Sequence, residues 1–204
     1  MRLPAKAGLH DAIVRSGIEL GSELGEEGLT MRAIAGKLGI SATALYQHFE
    51  SKASILREIR LHAIRMLMDR LDTTHDLEDC ATRLREISRL YLRFSRNNPW
   101  LYKLLFQSED LDWAALPEEE RRDAMQPYEH TRRTFADGVA AGVFRSDLDV
   151  DQAALLTWAS LHGLASLVLQ GRITEDHPAF PVPDLEAFAE LFIDNMVRAY
   201  LAAP

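Results

Sequence analysis

Apolar residues recur along this chain at three- and four-residue steps, and β-branched runs in strict alternation are absent. That is the signature of helices with one buried stripe rather than of strands. Between residues 6 and 24, Leu9, Ala12, Ile13, Gly17, Leu20 and Leu24 fall on one helical face, and Gly25 and Gly28 then break the pattern. Thr30 is placed to cap a short helix from Met31 to Leu38 that turns Ile34, Ala35 and Leu38 inward. Its hydroxyl can accept one of the unsatisfied N–H groups of the first turn. Gly39 follows as a left-handed stop residue. Ser41 is placed to cap a third short helix ending near His48, and Ser51 a long fourth helix reaching about Thr73.

Five more helices follow. One runs from about Leu77 to Asn97, with Leu84, Ile87, Leu90, Tyr91 and Phe94 inward. Asn98 as cap and Pro99 as first helical residue open another through Phe106. Gln107 to Pro117 reads as a loop. Helix resumes at Glu118, with a break or change of phase expected at Pro127, and ends near Gly142. Asp149, with Gln152 three residues on, has the spacing of a capping box and starts a helix to about Leu169. His177 to Pro183 is Pro-rich and reads as a linker before the last helix, Asp184 to about Ala202. The fold class expected is therefore all-α with about nine helices, a three-helix N-terminal part over residues 1–52 and a helical C-terminal domain over 53–204.

Composition changes little in this picture and charge changes more. The chain has 204 residues, of which 47% are hydrophobic, enough for a substantial core. The formal net charge is −8, unpromising at first sight for a nucleic-acid partner. The imbalance is uneven, however: residues 1–60 carry eight Lys/Arg and seven Asp/Glu, leaving the acidity to the rest. Nucleic-acid contact needs a local face, not a basic average. The single cysteine, Cys80, excludes an internal disulfide and a multi-cysteine metal site and fits a reducing, cytoplasmic setting. No signal-peptide pattern is expected at the N-terminus. The uncharged stretch Gln152–Gly171 contains Thr157, Ser160, His162, Gly163 and Ser166, and reads as a buried helix rather than a membrane span.

The chemistry concentrates in Leu29–Lys52, LTMRAIAGKLGISATALYQHFESK. Two short helices joined by a turn at Gly39 are the arrangement of a helix-turn-helix, whose second helix enters the major groove. The outward positions of that helix are Ala42, Thr43, Tyr46 and Gln47, with Ser41 at its start. Thr30, Ser41, Tyr46, His48 and Lys52 are candidates for phosphate contact, and Arg32 for a phosphate or a guanine edge. The run LGISATALYQHFESKASIL, with GLTMRAIAGKLG before it, resembles the signature of the TetR family over roughly residues 9–56. Ala44 stands where that family often has Thr, and Thr43 where it often has Gly or Pro. The resemblance implies a dimeric DNA-binding transcription regulator, most often a repressor, that is released from a palindromic double-stranded operator by a small molecule.

Three segments extend the resemblance to about residues 80–200: Asn98–Phe106, the Gly142-Val143-Phe144 turn with Asp149, and Trp158-Ala159-Ser160-Leu161-His162-Gly163, which is similar to the Trp-His-Gly motif of a class of TetR C-terminal domains. The resemblance implies a cavity for a small hydrophobic or amphipathic effector, with Tyr91, Phe94, Leu101, Leu104, Leu105, Phe135, Trp158 and His162 as candidate lining residues. Taken singly, each of these reads first as ordinary core, and His162 as a partner of a buried carbonyl rather than of a ligand. The helices at 152–170 and 184–202 are apolar on more than one face, so a second copy of the chain is expected to cover them. P-loop, dinucleotide-binding and His-Glu-x-x-His patterns are absent, and catalytic residues, a metal and a cofactor other than the unknown effector are not expected.

Overall fold

A computed structural model describes residues 6–106, 116–179 and 181–203. The loop expected at 107–117 lies mostly outside these residues, as does Phe180 of the Pro-rich linker. The described residues form α1 (Lys6–Gly28), α2 (Met31–Leu38), α3 (Ala42–Tyr46), α4 (Lys52–Leu71), a 3₁₀ turn (Asp72–Thr74), α5 (Cys80–Asn97), α6 (Pro99–Phe106), α7 (Glu118–Ala140), α8 (Val150–Leu169) and α9 (Leu185–Arg198). The chain divides into two compact units. The first takes residues up to Arg65 together with the segment that begins at Asn98, and the second takes Met66–Asn97 and everything from Leu116 onward.

The first unit is built on α1, which packs against α2 and α6. Its core is Ile13, Leu20, Leu29, Ile34, Leu45, Phe49, Ile55 and Ile59, all buried. α1 is broken at Gly25, whose φ is +72°. Leu24, expected to face inward, is exposed instead; it lies over the backbone of Gly28, where an added Cβ would sit 2.2 Å from Leu24 Cβ. The expected domain boundary after residue 52 falls inside this unit. Ile55 and Ile59 of α4 pack against Gly17 of α1, so the helix cannot be detached from the head without opening its core. α6, expected to belong to the C-terminal domain, also sits in the first unit, where the Trp100 ring lies directly over Gly21.

The second unit is organised around α5, which packs against α7, α8 and α9, while α7 also packs against α8. Leu84, Ile87, Tyr91, Phe94, Phe135, Phe144, Leu161, Leu164, Ile193 and Val197 are buried there. α7 runs through Pro127 without breaking, and Thr131 donates its hydroxyl to the Pro127 carbonyl at 3.1 Å. The Asp149 carboxylate accepts from the Asp151 and Gln152 N–H groups, as a cap should. Gln152 turns its amide to the same carboxylate at 3.0 Å, a variation on the expected capping box. α9 ends at Arg198, short of Ala202. The chain after it is drawn onto the turn following α7, with Arg145 N–H donating to the Tyr200 carbonyl and Ala202 N–H to that of Val143, each at 3.0 Å.

An antiparallel ladder of ion pairs joins α5 to α9: Arg85–Asp194 and Arg89–Glu190 at 2.7 Å and Arg96–Glu186 at 2.6 Å. Arg89 meets Glu190 with its fork, through Nε and Nη2. Hydrogen bonds from these arginines hold the Glu190 and Asp194 carboxyls below the usual carboxylate range.

Candidate nucleic-acid interface and effector-binding unit

Local chemistry assembles the recognition face. Thr30 Oγ1 accepts from Ala33 N–H at 3.1 Å and Ser41 Oγ from Ala44 N–H at 3.1 Å, so both short helices start on side-chain caps. Gly39 takes φ +65°, a conformation that only a residue without a Cβ adopts freely, and the Ile40 N–H then reaches back to the Ala35 carbonyl at 3.0 Å. This closes the turn between α2 and α3. α3 ends at Tyr46, two residues before the expected stop, because the His48 N–H tightens onto the Leu45 carbonyl at 2.9 Å.

The candidate residues for DNA contact occupy one continuous stretch of the first unit. Thr30, Arg32, Ser41, Ala42, Thr43, Tyr46 and Gln47 are exposed, and Tyr46 is 53% exposed despite its size. His48 and Lys52 are half-buried. Sequence reasoning missed two engagements. The Lys52 ammonium donates to the Glu26 carbonyl at 2.6 Å and lies 3.7 Å from that residue's carboxylate, fastening the start of α4 to the end of α1. Lys37 pairs with Glu19 at 2.9 Å, and that hydrogen bond raises its pKa. Neither pairing follows from local spacing, since each crosses between helices. Behind the face, His10 stacks on Phe49 at 4.6 Å.

The eight candidate effector residues are distributed differently. Leu101, Leu104 and Leu105 belong to the first unit and the other five to the second. Phe94 and Phe135 are fully buried, and Phe135 packs edge-on against Tyr200 at 4.9 Å and beside Phe144 at 5.2 Å, the surroundings of ordinary core. Trp158, expected inside, is 40% exposed. It lies 5.4 Å from the His162 ring on α8. His162 Nδ1 is 3.4 Å from the Tyr91 hydroxyl and its Nε2 is 3.4 Å from Ser166 Oγ, while burial pushes its pKa down. A cavity of about 20 Å³ opens between α5, α8 and α9, lined by Leu92, Ser95, Arg96, Leu164, Ala165, Val168, Leu185 and Ala189. None of the eight candidates lines it, and it has room for about one water.

One polar cluster had no counterpart in the sequence reading, which expected no metal. Asp72 and His75, on and just after the 3₁₀ turn, lie beside the buried His130 of α7, and their donor atoms fall within 4.8 Å of one another. The lone thiol, Cys80, is buried, and its pKa is raised by that burial.

The outward face of α8 is apolar. Leu155, Ala159 and Leu167 are exposed, with half-buried Gly163 between them at the same four-residue step, and Leu156 and Trp158 are exposed alongside. Leu191 of α9 is 58% exposed. α8 is long and apolar enough, by length and composition alone, to cross a membrane. Its other side packs against α5 and α7.

A capped helix-turn-helix with an exposed recognition face, followed by a helical unit with an unpartnered apolar surface, defines a DNA-binding regulator of the helix-turn-helix class. Residues 13–59 match the family of bacterial regulatory proteins, tetR family, and residues 84–196 match the tetracyclin repressor-like C-terminal domain. The chain belongs to the TetR family of transcription regulators. Among curated relatives it is 34% identical to nucleoid occlusion factor SlmA of Vibrio cholerae over 87 residues, 42% of this chain and 44% of that protein. It is 44% identical to tetracycline repressor protein class C of Escherichia coli over 46 residues, 22% of this chain and 21% of that one. The chain thus spans less than half the length of these relatives. Among solved structures, the TetR family regulator PfmR of Thermus thermophilus superposes with a TM-score of 0.66 at 26% identity, over 91% of this chain and 97% of that one. A putative transcriptional regulator from Saccharomonospora viridis, solved in complex with choline, shares the fold with a TM-score of 0.76 at 21% identity, over 98% of this chain and all of that one. These matches agree with the expectation of a regulator rather than an enzyme.

Proposed function

We propose that the protein is a ligand-responsive cytoplasmic repressor that binds a palindromic operator as a homodimer and is released by a small hydrophobic or amphipathic effector. The observation that carries the dimer is the exposed stripe Leu155, Ala159, Gly163 and Leu167 on α8, with Leu156 and Leu191 beside it. Monomeric proteins rarely leave such a contiguous apolar surface to water. A small residue in mid-stripe lets a second α8 approach closely, and a two-fold axis makes the patch cover its own copy. Two heads related in this way read two half-sites, about 34 Å or a multiple of that apart.

In each head, α3 lies in the major groove. Thr30 and Ser41 use their oxygens as helix caps, and their hydroxyl protons remain suited to phosphate. Tyr46 and His48 add donors. Lys52 has three N–H donors, so it can keep Glu26 and reach a phosphate together. Arg32 and Thr43 face the base edges. The effector seats in the C-terminal unit beside Trp158, His162 and Tyr91, where polar groups are set among apolar ones, the usual make-up of a small-molecule site.

A mobility shift on the DNA upstream of the protein's own gene tests this reading. Wild type binds in a band set by dimer and operator, and affinity falls steeply with salt because most contacts are to phosphate. Arg32→Ala changes the ranking of operator variants; a bidentate guanine contact is worth about 1–3 kcal/mol. Equal binding to specific and scrambled DNA by wild type and Tyr46→Ala alike rejects the proposal.

A further inference from the structure

The cluster at the end of α4 has no role in DNA contact or in the apolar patch, and its geometry is that of an incomplete coordination shell. His130 is buried, 7% exposed, whereas Asp72 and His75 are exposed. The hydrogen bonds around His130 fix its tautomer. Thr74 Oγ1 has one proton and donates it to the Leu71 carbonyl at 2.7 Å. The 3.0 Å contact between Thr74 Oγ1 and His130 Nε2 must therefore be donated by the imidazole. Nε2 carries the proton, and the lone pair sits on Nδ1. That nitrogen is the one facing Asp72, 3.9 Å from its Oδ1. On the other side, His75 Nε2 is 3.5 Å from the same Asp72 oxygen. Two acceptors 3.9 Å apart, the Nδ1 lone pair and the carboxylate oxygen, are stabilised by a donor or a cation placed between them.

We propose that Asp72, His75 and His130 bind a divalent transition cation of the zinc class, which ties the 3₁₀ turn after α4 to α7 and keeps a fourth position open to water. Two imidazoles and one carboxylate form a donor set of the kind zinc takes with three protein ligands and one open position. The donated Nε2–H to Thr74 is the outer hydrogen bond that metal-bound histidines almost always make, and it orients the ring. Ligands about 2.0–2.2 Å from a tetrahedral ion lie about 3.4 Å from one another, so the observed 3.5 and 3.9 Å, with the two imidazoles within 4.8 Å, call for a closure of the cluster. The exposed Asp72 and His75 side chains can supply that movement by rotation, while buried His130 stays in place. Of the two arginines whose charge reaches His130, Arg83 and Arg133, the first is already engaged by Asp137 at 2.9 Å and by the Leu77 carbonyl. Magnesium is disfavoured, because it takes oxygen ligands in an octahedron.

The test uses the full chain, freed of any affinity tag and of metal by chelator, and titrated with zinc, cobalt(II) or magnesium chloride in a calorimeter. One zinc per chain is expected, with no magnesium uptake at the same concentrations. Cobalt is expected to give the intense visible absorption of a four-coordinate site. His75→Ala and Asp72→Asn change exposed side chains, so they leave the fold intact by circular dichroism, and each is expected to weaken zinc at least tenfold and abolish the cobalt bands. Thr74→Val, which removes the hydroxyl that accepts from His130 and donates to the Leu71 carbonyl, is expected to weaken zinc about 10–100-fold. His177→Ala, elsewhere in the unit, leaves the isotherm unchanged. Failure of wild type to take up one equivalent, or uptake that survives His75→Ala at full affinity, overturns the proposal.

Discussion

The recognition helices of the first unit and the helix packing of the second are set over different ranges of sequence. In the first, the bonds that set the recognition helix are local: Thr30 to Ala33, Ser41 to Ala44, and Gly39 with Ile40 closing the turn. In the second, the polar contacts between helices are long-range. Arg89 and Glu190 are 101 residues apart, Arg85 and Asp194 are 109 apart, and Thr74 and His130 are 56 apart. A recognition turn set by local bonds presents the same face wherever the sequence occurs, which suits a DNA-reading element. A body built from distant pairings can rearrange when one of them changes, which suits a sensing element.

The strongest way to break the comparison is to attack the apolar surface proposed to join two copies. Leu156→Asp with Leu191→Asp places charge on the apolar patch while leaving the monomer core alone. Sedimentation should fall to the 23.0 kDa monomer, and operator affinity should collapse even though each head is unchanged. A dimer that persists at micromolar concentration would place the interface elsewhere. The next largest effect is a cavity in the body core. Phe135→Ala should cost about 3–5 kcal/mol in denaturant unfolding, because Phe135 is fully buried against Phe144 and Tyr200.

Cap removal probes the head. Thr30→Ala should destabilise by about 1 kcal/mol and weaken DNA binding, with no change in zinc uptake or dimerisation. Loss of dimer in this variant would show that the two units are not separable in energy. Gly163→Ala has an effect of similar size and opposite sign in the isolated chain. An added Cβ there meets nothing within 4 Å, so the chain should gain up to about 1 kcal/mol of helix propensity. If α8 pairs closely with its copy, the same methyl should raise the dimer dissociation constant, and a stability gain with unchanged dimerisation would argue against that crossing.

The smallest expected effect is acid sensitivity of the α5–α9 ladder. The Glu190 and Asp194 carboxyls are held below their ordinary values by Arg89 and Arg85. Their contribution is therefore complete above the ordinary carboxylate pKa and disappears as pH falls through the lowered one. The pairs are largely solvated, so the loss should be well under that of the core variant. Urea titrations of wild type and Glu190→Gln should differ at pH 7 and draw together as the pH is lowered through the acid range.

How much could be read without coordinates follows from the same division. The bounds of α2, the caps Thr30, Ser41 and Asp149, and the left-handed Gly39 were all legible, because each depends on residues within four positions of one another. The phase of the second helix gave the outward set Ala42, Thr43, Tyr46 and Gln47, and the structure leaves all four exposed. The end of α9 was read too long, since the tail beyond Arg198 is held by Val143 and Arg145 from another part of the chain. The first compact unit also runs past residue 52, and nothing in the periodicity of α4 says that Ile55 and Ile59 close onto Gly17.

The eight proposed lining residues show the limit most clearly. Periodicity marks an apolar side chain as inward but does not say what it meets, so Phe135 in solid core and half-open Trp158 looked alike. From the sequence alone came an all-helical chain, a helix-turn-helix, the family and an apolar excess in the last helices, because helix stops, caps and periodicity are encoded within a turn or two. Only the tertiary structure decided that Lys52 is fastened to Glu26, that Trp158 faces outward, and that Asp72 and His75 meet His130, because those depend on which helix lies beside which, and no local spacing carries that information.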